Sequence, residues 1–97
     1  MTDAELYAVA IVKWGAEAQL LMASEESTEL SLAIHHYLRG RADKGHIAEE
    51  IADVELMLDQ IKALFDGDGV AFSELVHEWR VTKRMRLESL LAAGGVG

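Results

Sequence analysis

Two acidic stretches decide how this chain is read: Glu25-Glu26-Ser27-Thr28-Glu29 and Glu49-Glu50-Ile51-Ala52-Asp53. In each, two carboxylates stand three residues apart, Glu26 with Glu29 and Glu50 with Asp53. Residues three apart share one face of a helix. Two such helices laid side by side would turn four carboxylates toward one point. Like charges at that range repel strongly, and a cation at the centre relieves the repulsion. Hard oxygen ligands suit Mg²⁺, with Mn²⁺ as the alternative, and Mg²⁺ held by few carboxylates commonly also holds phosphate.

The residues around the two stretches form helical patterns. Ile47, Ile51, Val54, Leu58, Ile61 and Phe65 recur at spacings of four and three. That is a bundle-type apolar stripe, predicted to face the core. Beside it run Glu50, Asp53, Met57, Gln60 and Leu64, so the acidic pair flanks the core. Upstream, Ala23, Ser27, Leu30, Ile34 and Tyr37 form one stripe, with Gln19, Met22, Glu26, Glu29, Ala33 and His36 beside it. Breakers at Gly15, at Gly40 to Gly45 and at Asp66-Gly67-Asp68-Gly69 divide the chain. Four helices are predicted, over about residues 3–14, 16–39, 44–65 and 70–92. Short connections make long neighbours antiparallel, which lets the two acidic motifs face each other.

An acidic helix face is usually a solvated one, and a single Glu-x-x-Glu carries no weight. Here there are two, on consecutive helices. Their i+4 neighbours are Leu30, Val54 and Met57, and their i−4 neighbours are Met22, His46 and Glu49, so no Lys or Arg on the same helix neutralises Glu26, Glu50 or Asp53. Spacing alone does not separate a metal site from an acidic surface.

Composition narrows the class. A chain of 97 residues suffices for one small domain with a modest core. Proline is absent, and Ala, Leu, Glu and Lys are abundant, which favours an all-α fold. Without cysteine there are no disulfides, zinc–thiolate sites or thiol nucleophiles. A net charge of −8 argues against nucleic-acid binding, which needs a basic footprint. No apolar run is long enough to span a membrane, and the acidic start does not read as a secretory signal. A cytoplasmic location is therefore the expectation. Residues 1–93 are expected to form one domain, with 94–97 as a glycine-rich tail.

The order Glu25-Glu26-x-x-Glu29-Leu30 followed by Glu49-Glu50-Ile51-Ala52-Asp53-Val54 resembles the signature of the MazG-like nucleotide pyrophosphohydrolases. The resemblance spans roughly residues 14 to 88. It includes Trp14-Gly15 and Gln19 before the first motif, and Lys83-Arg84-x-Arg86-Leu87 on the last helix, as in small phage-type members. It implies a four-helix bundle that assembles as a dimer or dimer of dimers, with its site at the subunit interface. It implies Mg²⁺-dependent hydrolysis of nucleoside triphosphates, often deoxy or non-standard ones, to monophosphate and pyrophosphate. The metal ligands it implies are Glu26, Glu29, Glu50 and Asp53.

The remaining candidates follow from the residues. Glu25 and Glu49 adjoin the motif, and each is either an added ligand, a group that activates water or a solvated carboxylate. Glu25 is i−4 to Glu29 and is the favoured one. On the last helix, the stripe Phe72, Leu75, Val76 and Trp79 continues into Lys83 and Arg86. Four of the nine basic residues fall between Arg80 and Arg86. Lys83 and Arg86 are candidates for gripping phosphate, against the plainer reading that they pair with surface acids. Trp14 and Gln19 are candidates for contacting the base, whereas Met22 and Met57 read as packing. Two other classes stand beside this reading. One is a phosphoribosyl-ATP pyrophosphohydrolase-like enzyme, and the other is a non-enzymatic helical interaction module. A ferritin-like di-iron bundle is disfavoured, because its site takes Glu-x-x-His from each of two helices.

Overall fold

The computed structural model describes residues 1–67, 69 and 71–94, and these contain four helices and no strand. They are α1 (Asp3–Trp14), α2 (Ala16–Leu38), α3 (Lys44–Asp66) and α4 (Phe72–Ala92). The sequence-predicted boundaries agree to within two residues, because the ends are written in local chemistry. Thr2 caps α1 in a reciprocal box with Glu5: the Glu5 N–H donates to Thr2 Oγ1 at 3.1 Å, and the Thr2 N–H to Glu5 Oε1 at 3.3 Å. Asp43 caps α3, its Oδ1 accepting from the His46 N–H at 3.2 Å. Gly15, at φ +84°, closes α1 and turns the chain so that α1 and α2 are bent by 109°. That backbone region suits glycine and few other residues. The expected tail, 94–97, lies outside the described residues beyond Gly94.

α3 is the hub. It packs antiparallel against α2 along most of its length and also touches α1 and α4. Tyr7 is buried and ties α1 to α3, its hydroxyl donating to Asp59 Oδ2 at 3.4 Å. Burial, with Asp3 and Asp59 nearby, raises the Tyr7 hydroxyl above the ordinary tyrosine range.

The helix faces differ from the predicted assignment. On α2 the inward line is Gln19, Ala23, Glu26, Leu30 and Ala33, which crosses from one predicted stripe to the other. On α3 the most buried residues are Glu50 and Met57, not members of the apolar stripe. Ile51 and Leu58, predicted core, remain 41% and 46% exposed. The physical reason is helix separation. Ala23 and Ala33 are small, so α2 sits close on α3 along the line that carries the acids. The bulkier apolar line is left to one side.

α4 follows the expectation in length but not in burial. It packs only against α3 and buries none of its residues. Its attachment is specific. The Phe65 and Phe72 rings meet at 4.9 Å between centroids. Its N-cap, Ala71, has no capping side chain. Asp66, the last residue of α3, substitutes: the Ser73 N–H donates to Asp66 Oδ1 at 2.8 Å and the Ser73 hydroxyl donates to Oδ2. These bonds hold the Asp66 carboxyl below its ordinary range. The described chain is thus all-α, four helices consistent with a bundle in which α4 is the most loosely held. The chain's radius of gyration is 16.7 Å, against about 12.5 Å for a compact domain of this length. No single helix among the described residues is long and apolar enough to cross a membrane.

Two outcomes follow from this packing. Ala33 is 1% exposed at the α2–α3 contact, so Ala33→Leu is expected to cost about 1–3 kcal/mol by overpacking, read by urea unfolding. Asp66→Asn is expected to loosen the first turn of α4 at neutral pH. Because the Asp66 carboxyl is depressed, the wild-type contribution holds above the ordinary carboxylate range and fades as pH falls through the folded value. Amide exchange at residues 72–75 measures both, and equal protection in wild type and variant at neutral pH would contradict the capping role.

Candidate metal centre

Three carboxylates meet where α2 crosses α3. Glu26 from α2, with Glu50 and Asp53 from α3, each offer an oxygen within 4.8 Å of the others. Their positions follow from the packing. Glu26 sits on the inward line of α2 between Ala23 and Leu30, and Glu50 and Asp53 stand three apart on the facing side of α3. Glu50 is buried at 7% exposure, and Glu26 and Asp53 are half-buried. Neighbouring hydroxyls do not reach them. The Ser27 hydroxyl donates to Ala23 O at 2.8 Å, and the Thr28 hydroxyl to Ser24 O at 3.1 Å, both inside α2.

The group is uncompensated. Among the described residues no Lys or Arg pairs with any of the three, and the ion pairs formed are Lys62–Asp59 and Arg84–Glu88. Glu50 Oε2 is fully covered and accepts no hydrogen bond. A covered carboxylate oxygen without a partner is costly, and native structures normally satisfy such an atom. The Glu26 carboxyl is raised above its ordinary range by burial first, then by Asp53, Glu50, Glu29 and Glu25. The donor set is all oxygen. It fits a hard divalent ion such as Mg²⁺ or Mn²⁺ and lacks the nitrogen and sulfur donors that zinc favours.

The other predicted residues are placed as follows. Glu29, expected as the fourth ligand, is exposed and stands outside the close group, one turn along α2, although its charge reaches Glu26. Glu25 likewise is exposed and acts on Glu26 through its charge. Glu49 is exposed. Lys83 and Arg86 are exposed on α4, where the Lys83 ammonium lies 5.9 Å from the Trp79 ring centroid. Among the described residues neither makes an ion pair. Arg84 follows the plainer reading and pairs with Glu88 at 2.7 Å. Glu74 and His77 on α4 have Glu-x-x-His spacing, but both are exposed and neither joins the cluster.

One feature near the site was not foreseen as a whole. Trp14, Ala18, Gln19, Met22, Met57 and Gln60 line a cleft of about 220 Å³. It lies one helical turn from the carboxylates, since Met22 is i−4 to Glu26 and Met57 is i+4 to Asp53. Trp14 and Gln19, the two residues proposed from the sequence for the base, line the same cleft. Met22 and Met57, predicted as packing, share the same wall. The available signal was that both acidic stripes continue past their motifs by one turn in the same direction in space.

Comparison with family models, with curated proteins and with solved structures gives no match.

The crowding has a measurable sign. With a raised folded value, Glu26 binds a proton in the folded chain at a pH where the unfolded chain has released it. Its contribution to stability is present at low pH and is lost as pH rises through the window above the ordinary glutamate value. In metal-free buffer at neutral pH, Glu26→Gln is therefore expected to melt higher than wild type. The difference should vanish on acidification through that window and shrink when Mg²⁺ or Mn²⁺ is added. A lower melting temperature for the variant without metal would show that the three carboxylates do not oppose one another.

Proposed function

We propose that this chain is a Mg²⁺-dependent nucleoside triphosphate pyrophosphohydrolase of the MazG-like kind, releasing a nucleoside monophosphate and pyrophosphate. The observation that carries the reading is the uncompensated Glu26–Glu50–Asp53 cluster with the unpartnered Glu50 Oε2 at its base. It coincides with the motif order on which the family resemblance rests. Glu26, Glu50 and Asp53 would hold the ion, with Glu29 entering from one turn away as the fourth ligand. When bound, the ion supplies charge neutralisation for the phosphates and a water of lowered pKa. Glu25 and Glu29 increase the negative field on Glu26 and so favour a divalent over a monovalent ion. Glu25, whose charge reaches Glu26, is also the favoured base candidate. Substrate phosphate requires cations as well, and Lys83 and Arg86 are their source in this reading.

Those cations point to a second copy. The chain exposes 7447 Å², against about 5,500 Å² for a compact monomer of this mass. The surplus is of the size that a permanent homodimer covers. Leu75, Trp79, Val81, Met85 and Leu87 of α4 are all exposed by 45% or more. A homodimer or homotetramer that covers them would bring Lys83 and Arg86 of one copy toward the carboxylates of another.

The deciding experiment is a panel of nucleoside triphosphates, phosphoribosyl-ATP included, incubated with Mg²⁺ and assayed separately for pyrophosphate and orthophosphate. Pyrophosphate release is expected, with a loss of at least about a hundredfold in Glu50→Gln and Asp53→Asn. Activity confined to phosphoribosyl-ATP would move the assignment to that related enzyme class. Absence of turnover together with absence of Mg²⁺-dependent stabilisation would leave the exposed apolar surface as the mark of an interaction module. Light scattering at micromolar concentration should give a dimer or tetramer.

A further inference from the structure

We infer that the cleft beside the carboxylates is a stacking slot for the substrate's base, one that grips the face of the ring and does not read its edge, with Trp14 as the principal contact. This rests on the nucleotide reading above and adds to it a substrate class: triphosphates of canonical and deaminated bases alike. Choosing one base by hydrogen bonds takes a donor and an acceptor presented together, as a free Asn or Gln amide presents them to adenine. Two amides stand in the wall of the cleft, Gln19 and Gln60. Both are engaged. Gln19 is 3% exposed, its Nε2 donates to Ala10 O at 3.5 Å, and its Oε1 is fully covered. Gln60 Nε2 donates to Leu56 O at 3.2 Å and to Met57 Sδ at 3.5 Å. Neither amide has its donor and its acceptor free together.

What remains in the wall is single groups, the Gln60 oxygen and the Trp14 indole N–H. A single group does not tell the bases apart. Adenine, hypoxanthine, cytosine and uracil each carry at least one N–H and at least one lone-pair acceptor, so each can satisfy a lone acceptor or a lone donor. The other lining residues suit the face of a ring. Trp14 is 59% exposed and offers aromatic surface. Met22 and Met57 are unbranched and polarizable, and thioethers pack well against rings. The cleft holds about 220 Å³, below the ~300–1,000 Å³ of sites that enclose a whole drug-sized ligand. It therefore fits one ring system and leaves sugar and phosphates outside, with the carboxylates one helical turn away. Stacking tolerates any base, because every base has a π-face.

The test measures kcat/KM for two pairs that differ only at the edge, dATP against dITP and dCTP against dUTP, with the full chain and Mg²⁺. A bidentate base contact discriminates by about fivefold or more, so the expected ratio within each pair is below about fivefold. A larger ratio in either pair overturns the inference and leaves the metal-site reading standing. Trp14→Ala should raise the KM of all four nucleotides by about tenfold or more, and Trp14→Phe, which keeps a ring, by less. Inorganic triphosphate carries no base, so its inhibition constant against dATP hydrolysis should be the same in wild type and in both variants. An equal loss of affinity for inorganic triphosphate would show that Trp14 acts on the fold, and an unchanged KM for the nucleotides would show that the base lies elsewhere; either overturns the inference. Where Trp14→Ala does not fold, Trp14→Phe and the wild-type ratios decide. No hydrolysis of any nucleotide overturns both readings.

Discussion

The architecture depends on a repulsion. α2 and α3 are held in close antiparallel contact by small residues, Ala23 and Ala33, and that contact presses Glu26 against Glu50 and Asp53. A sequence selected only for stability would place an aliphatic side chain at position 50, where a residue 7% exposed leaves a carboxylate oxygen without a partner. Like charges on facing helices oppose the packing that brings them together. The rest of the α2–α3 interface must offset that opposition. α1 contributes through Tyr7, which fastens to Asp59 two turns beyond the acids. The arrangement is strained in the electrostatic sense, and its strain is localised where an ion would remove it.

A second constraint is scarcity of core. The chain is 51% hydrophobic by composition, yet among the described residues the buried apolar ones are Tyr7, Ala23, Ala33 and Met57. Two of the four are alanines, which contribute little area. Half-buried side chains such as Leu30, Val54, Ile61 and Phe65 supply the rest of the core. Ile51 and Leu58 of α3 and the apolar face of α4 are left exposed.

The sequence made the helices legible and the faces ambiguous. Breaks at Gly15 and Gly40 are local chemistry, so boundaries could be placed within two residues; the caps at Thr2 and Asp43 went unread and fix the same ends in the structure. The acidic cluster was legible because i, i+3 spacing fixes direction on a helix, and three of its four expected members do converge. Which stripe turns inward was not. Ile51 and Leu58 look like core by hydropathy, but periodicity cannot distinguish a face buried inside one chain from a face reserved for another. The direction of α4 was equally hidden. It is set by the Asp66–Ser73 bonds and the Phe65–Phe72 contact across the turn, and neither leaves a periodic trace. Gln19 illustrates the limit most sharply: its position was predictable, whereas the orientation of its amide depends on a carbonyl in another helix.

Charge distribution ties these parts together on the proposed reading. A chain of net charge −8 repels a free triphosphate, and screening confines that repulsion to within about 8 Å at physiological ionic strength. Inside that range the sign is set by individual side chains. Near the carboxylates every charged neighbour acting on Glu26 is acidic. The concentrated positive charge lies on α4 from Arg80 to Arg86, on the one helix that buries none of its residues. Acidic ligands and basic phosphate contacts are thus carried by parts of the chain that a single copy does not bring into ion-pair contact. Binding a polyanion then requires their apposition, and the apolar face of α4 supplies the means. The same surface that lacks a covering in one copy is the one that would carry the missing cations into the site of the next.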